Sequence, residues 1–151
     1  FSDGDKQRIV YKWHPLTICD INTPTLNTDS LDTHKVSVSK TIDTPSIFKD
    51  IRGSTNGIII DDEIWFITHI VSYETKRRYY HMFVVLDKTT MELKRYSRSC
   101  TFAAERIEYT LGFDYVEEKK HFVIGYSNSD SNTDFYSVTK ENIEQLMVEK
   151  D

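Results

Sequence analysis

The residues with the most chemistry to offer lie in one central span and two later positions. Arg52-Gly53-Ser54-Thr55 sets a guanidinium, a backbone without a side chain and two hydroxyls side by side. A planar two-donor fork beside hydroxyls suits a phosphate or a sugar diol, and glycine lets a ligand come close to the chain. The competing reading is that Arg52 pairs with an acid and seals neighbouring sheets. His69 and His81 stand at the ends of two adjoining apolar runs that read as a hairpin. They could face each other across it and hydrogen-bond a ligand. Two imidazoles fall short of a metal site, which wants three or four ligands, so no metal or other cofactor is expected. The plain alternative is a pair of histidines satisfied by the backbone.

Glu108 interrupts a run, residues 106–114, that is otherwise fit for an interior strand. A carboxylate there must be paired or must face a water-filled channel. With an inward aspect its natural partner is Arg52, and a raised pKa would make it an acid–base candidate. Glycoside cleavage uses two carboxylates flanking the bond, and Asp130 is the second candidate, although residues 128–134 also read as an ordinary turn. Trp13, Tyr79 and Tyr80 offer faces for stacking on sugar rings, and a tryptophan is equally at home in a core. Lys76-Arg77-Arg78 precedes the two tyrosines, a mixture that could stack bases. A solvated hairpin tip explains it as well.

Composition narrows the field. The 151 residues carry a formal charge of -5, against the basic face of a nucleic-acid binder, and none is expected as a partner. No apolar run approaches the roughly 18 residues of a membrane-spanning helix. Cys19 and Cys100 lack metal-type spacing and read as two buried thiols, with a disulfide between them as the alternative. Neither an Asn-x-Ser/Thr sequon nor a signal-peptide pattern is visible, and the cytoplasm is the favoured compartment. There is no glycine-rich phosphate loop and no nucleophile elbow.

These side chains must be positioned by strands. Apolar and polar residues alternate or cluster over residues 7–13, 16–21 and 35–42, with a loop rich in Thr, Asn, Asp and Pro at 22–32. Residues 58–60, 63–69 and 79–87 are apolar on both faces, as in Ile64-Trp65-Phe66-Ile67, which marks central strands. Further strands are expected over 91–97, 106–114, 121–126 and 135–139. In residues 106–114, Ile107, Tyr109, Leu111 and Phe113 share one face and Glu108, Thr110 and Gly112 the other. Ile143, Leu146 and Met147 at helical spacing predict a short amphipathic helix over about 140–149. The strands group into units of about 7–42, 52–97 and 100–139, close to the roughly 40–50 residues of a propeller blade. The fold expected is all-β: one domain of about three antiparallel blades with a short C-terminal helix.

Several segments, taken in order, resemble the C-terminal half of a five-bladed β-propeller. They are Trp13-His14-Pro15-Leu16, Arg52-Gly53-Ser54-Thr55, His69, residues 78–84, Ile107-Glu108-Tyr109-Thr110-Leu111-Gly112, and Gly125-Tyr126-Ser127 with Asp130 nearby. The group resembled contains glycoside hydrolases, the mannosyl-oligosaccharide phosphorylases and propeller domains joined to glycosyltransferases, some in large DNA viruses. The resemblance implies that Arg52 contacts substrate or phosphate, that His69 and Tyr80 or His81 are sugar or phosphate contacts near the axis, and that Glu108 and Asp130 are the inward acids of the last blades. In that group the general acid lies in the other half of the ring, so this chain alone is not expected to be catalytic. Three units do not close a ring of five, and the chain opens on Phe1 rather than Met. The expected partners are therefore a glycan or sugar phosphate, and an N-terminal propeller half or another chain that completes the ring. The leading expectation is a carbohydrate-recognising or carbohydrate-processing module. A non-enzymatic protein-interaction scaffold is the alternative.

Overall fold

The computed structural model describes residues 1–22, 35–53 and 55–149. The chain is built from antiparallel sheets with one short α-helix, and it divides into two compact units, Phe1–Lys49 and Asp50–Asp151.

The first unit is a four-stranded meander: β1 (Ser2–Asp3), β2 (Lys6–Trp13), β3 (Leu16–Asn22) and β4 (Lys35–Ile42), paired in chain order. Trp13, Leu16, Ile18 and Cys19 are buried, and Phe48 packs against Trp13 with ring centroids 6.4 Å apart. The strand β4 leaves Val36 and Val38 exposed. Arg8 bridges Asp3 and Asp20 at 3.1 and 3.0 Å across the sheet.

The second unit holds two sheets. The larger takes β5 (Ile51–Arg52), β6 (Ile58–Ile60), β7 (Glu63–Ser72), β8 (Arg78–Asp87) and β9 (Leu93–Ser97). The long β7–β8 hairpin is its spine. Six successive residues in each strand, 64–69 and 81–86, are buried, as the doubly apolar pattern predicts. Asp61 adopts a left-handed φ of 56° in the tight turn between β6 and β7. The smaller sheet is the meander β10 (Glu108–Val116), β11 (His121–Asn128) and β12 (Asn132–Thr139).

One core lies between the two sheets of this unit. It joins Trp65, Ile67, Phe83 and Val85 to Phe113, Phe122 and Ile124. Phe122 is its centre, with ring centroids 5.2 Å from Trp65, 5.9 Å from Phe113 and 6.0 Å from Phe83.

The chain's end departs from expectation. The helix α1 spans only Lys140–Glu144, and residues expected to continue it form β13 (Met147–Glu149), paired to β9. Thr139 caps α1 by accepting from the Asn142 amide at 3.2 Å. Ile143 reaches the core, with Leu146 and Met147 packed at its margin. The spacing that suggested a longer helix therefore serves the core from two elements. Arg95 on β9 fastens this segment: its guanidinium contacts Glu63 at 2.6 and 2.9 Å and Glu144 at 2.6 and 2.9 Å, and stands 5.3 Å over the buried Trp65 ring.

In the first half of β10 the polar face is the inward one. Glu108 and Thr110 are buried, whereas Tyr109 and Leu111 are exposed. A β-bulge between Thr110 and Gly112 inserts one residue, after which Phe113 points inward. One extra residue in a strand reverses every later side chain.

Candidate functional site

The polar side chains gather at the end of the larger sheet opposite Arg95. His69 and His81 are direct partners across β7 and β8, as their positions at the strand ends suggested, so both project from the same face. Arg52 on β5 is the direct partner of His69 on its other side. Beyond β8, residue 100 continues the row, with backbone hydrogen bonds exchanged between His81 and Cys100 at 2.8 and 2.9 Å.

Glu108 closes the loop that follows. Its carboxylate accepts from the backbone N–H groups of Phe102 at 2.7 Å, Ala103 at 3.0 Å and Glu105 at 2.9 Å. Three amides satisfy a buried carboxylate, and the carboxylate in turn satisfies a loop that has no ladder of its own. The expected partner of Glu108, Arg52, is not the one observed. Across the interior its Oε2 lies 3.4 Å from His81 Nε2, beyond a well-formed hydrogen bond.

His81 is fully buried. Its Nδ1 shares a 2.9 Å hydrogen bond with Thr110 Oγ1, and its ring stacks on Phe102 at 4.1 Å. Burial pushes its pKa down to about 4, with Glu108 opposing the shift, so the imidazole is neutral at pH 7. Thr110, His81 and Glu108 follow the order hydroxyl, imidazole, carboxylate. All three are 0 % exposed, which keeps them from any bound substrate. They form a sealed polar bracket that holds β8, β10 and the intervening loop together.

His69 differs. It is 5 % exposed and lies beneath two tyrosines, Tyr79 at 5.6 Å and Tyr109 at 5.3 Å between ring centroids. Its Nδ1 is buried and has no hydrogen-bond partner. Burial lowers its pKa and the Arg52 charge lowers it further, so it too is neutral. Arg77 stands 5.5 Å over the Tyr79 ring. The exposed Arg52, the half-buried Tyr79 and the partly exposed Tyr109 thus form the accessible surface of this polar end.

Of the residues expected at a site, the structure therefore brings together Arg52, His69, His81 and Glu108. Three others lie elsewhere. Trp13, expected as a stacking face, is buried in the first unit. Tyr80 is half-buried and alternates to the opposite face of β8 from His81. Asp130 is an exposed residue at φ 55° in the β11–β12 turn. Ser54 lies outside the described residues; its neighbour Thr55 donates to the Ile67 carbonyl at 3.3 Å and accepts from the Ile67 amide at 3.0 Å. Tyr109, Thr110 and Phe102 were not foreseen. The sequence grouped Glu108 with Thr110 on one face, and the structure turns that face inward at the start of β10.

Among the described residues no group of three or more His, Cys, Asp or Glu side chains is placed to hold a metal ion. Both cysteines are free; Cys19 is buried, and burial together with Glu108 pushes the half-buried Cys100 thiol up to about 11. No helix among the described residues is long and apolar enough to cross a membrane. Comparison with known proteins returns no matching family model, curated protein or solved structure.

Proposed function

We propose that this chain is a carbohydrate-recognising module whose sheets are blade-like units of a β-propeller, and that it binds its ligand over Arg52, Tyr79 and Tyr109. The observation that carries this reading is His69, a buried imidazole whose Nδ1 lacks a hydrogen-bond partner among the described residues, lying under two tyrosine rings beside an arginine that forms no ion pair among them. Aromatic faces suit the apolar side of a sugar ring, and a guanidinium fork suits its hydroxyl pairs. Glu108 serves the fold and not catalysis, because it is fully buried and accepts from three backbone amides. A glycan array followed by calorimetry tests the reading. Arg52→Ala and Tyr109→Ala should each abolish or strongly weaken the leading interaction while leaving the circular dichroism spectrum unchanged. Binding unaffected by both changes would move the site elsewhere.

A second reading, a protein-interaction scaffold, is favoured by the outer face of β10–β12. A shallow, mainly apolar groove of ≈ 430 Å³ lies there. Its floor is the cross-strand pair Gly112 and Gly125, and its walls include Leu111 and Phe135, 54 % and 76 % exposed. Apolar side chains presented in this way mark contact surfaces. Phe135→Ser separates the two readings, because it should leave glycan binding intact.

A further inference from the structure

We infer that the glycan is anionic: a carboxylate- or sulfate-bearing sugar chain whose charges are met by Arg52 and Arg77 while its rings lie against Tyr79 and Tyr109. This inference rests on the carbohydrate reading above and adds the ligand's charge to it.

In an acidic protein the cations have many possible partners. With a formal charge of -5, acids are available to pair with most of them. Arg8, Lys94, Arg95 and Lys140 do pair, each with at least one carboxylate. Most of the other described cations form no ion pair among the described residues, and the exposed Arg52, Arg77 and Arg106 are three of these. These three sit on one rim. Arg52 is the cross-strand partner of His69, Arg77 covers Tyr79, and the Arg106 carbonyl accepts from the Tyr79 amide at 3.0 Å. Glu74 and Glu105 belong to the adjoining loops and neutralise none of these arginines within ion-pair distance among the described residues.

Uncompensated positive charge on one rim repels itself and attracts an anion. The rim is more than a charge cluster, because it surrounds a side chain with an unmet need. His69 Nδ1 is a buried polar atom without a partner, and such atoms are rare unless something else completes them. A shift of the covering Tyr79 or Tyr109 ring would open that atom to a ligand hydroxyl, with which the neutral imidazole can exchange a hydrogen bond. Tyr79 and Tyr109 supply the apolar faces beside it. Charge, hydroxyl and ring face are the three recognition elements of an acidic sugar. A nucleic acid would use the charge and the aromatic faces too, but the protein's net negative charge away from this rim opposes a long polyanion.

Calorimetry with tetragalacturonate and its methyl ester tests the inference, since the two differ only in charge. The acid should bind about tenfold or more tightly than the ester, and raising the salt concentration should weaken only the acid. Arg52→Ala should remove that preference, whereas Tyr109→Ala should weaken both ligands. A carrageenan tetrasaccharide, which carries sulfate and no carboxylate, distinguishes the two groups when tried in parallel, and preference for either acid supports the inference. If neutral oligosaccharides bind as well as both acids, the anionic assignment falls and the glycan reading stands. If folded protein binds no glycan at all, both fall. A single-stranded oligonucleotide bound as tightly, and indifferent to Tyr109→Ala, would reduce the rim to a general polyanion patch and overturn the inference.

Discussion

The two ends of the β7–β8–β9 sheet are built from similar residues put to opposite uses. At one end Arg95 lies between Glu63 and Glu144 with its guanidinium over Trp65, and Lys140 adds a second cation 5.1 Å from the same ring. Every charge there has its complement. At the other end Arg52 forms no ion pair among the described residues, the buried His69 Nδ1 lacks a hydrogen-bond partner, and the Glu108 carboxylate is committed to backbone amides. The difference separates a network that fastens the chain's last strand from a surface with capacity left for a ligand. Charged and aromatic side chains do not mark a binding site by being present. They mark it by what their neighbours leave undone.

The sharpest way to break this contrast is Glu108→Ala. Three backbone amides would lose their acceptor in a buried setting, so unfolding in urea should show a loss of about 3–5 kcal/mol. A loss under about 1 kcal/mol would mean that the loop finds other partners and that Glu108 is not the bracket described.

Acid separates the two ends by pH window. His81 has a folded pKa of about 4, below its unfolded value, so its contribution is whole above the unfolded value and is lost as pH falls from about 6.5 to about 4. The loss should be of the order of 3 kcal/mol, and His81→Gln should flatten that part of the stability profile. Burial alone would raise the pKa of Glu63, but hydrogen bonds from Arg95 and Lys94 prevail and hold it at about 2. Its contribution is therefore lost lower, from about pH 4.5 toward 2. Urea melts across this range should show two successive losses, only the upper of which responds to His81→Gln.

Smaller effects sharpen the same comparison. Arg95→Ala should cost roughly 2 kcal/mol through two broken ion pairs and a lost cation–π contact, with a change in Trp65 fluorescence. Arg52→Ala, a change of the same residue type at the other end, should alter stability by no more than about 0.5 kcal/mol. A comparable loss at both positions would erase the distinction between the two ends.

Much of this fold could be read from the residues. The doubly apolar runs around Trp65 and Val84 announced buried central strands, and the hairpin they implied placed His69 opposite His81. Arg52 stood out because a glycine and hydroxyls follow it, and the structure places it beside His69. The identity of Glu108's partners was not legible, since backbone amides leave no trace in sequence. The end of the chain misled because Ile143 and Leu146 fit helical spacing whether or not the helix continues past Glu144. Residues 107–111 show a different limit. A pattern of apolar alternation tells which residues go together, but not which set faces inward when polar groups have buried partners.

The single-residue bulge beside Leu111 frees the two halves of β10 from a common cadence. Downstream, Phe113 must keep time with the aromatic core. Upstream, the outward positions can be rewritten toward new ligands without disturbing that core, provided the Glu108 bracket is kept. A designer seeking to retarget this protein would begin at residue 109 and leave 113 alone.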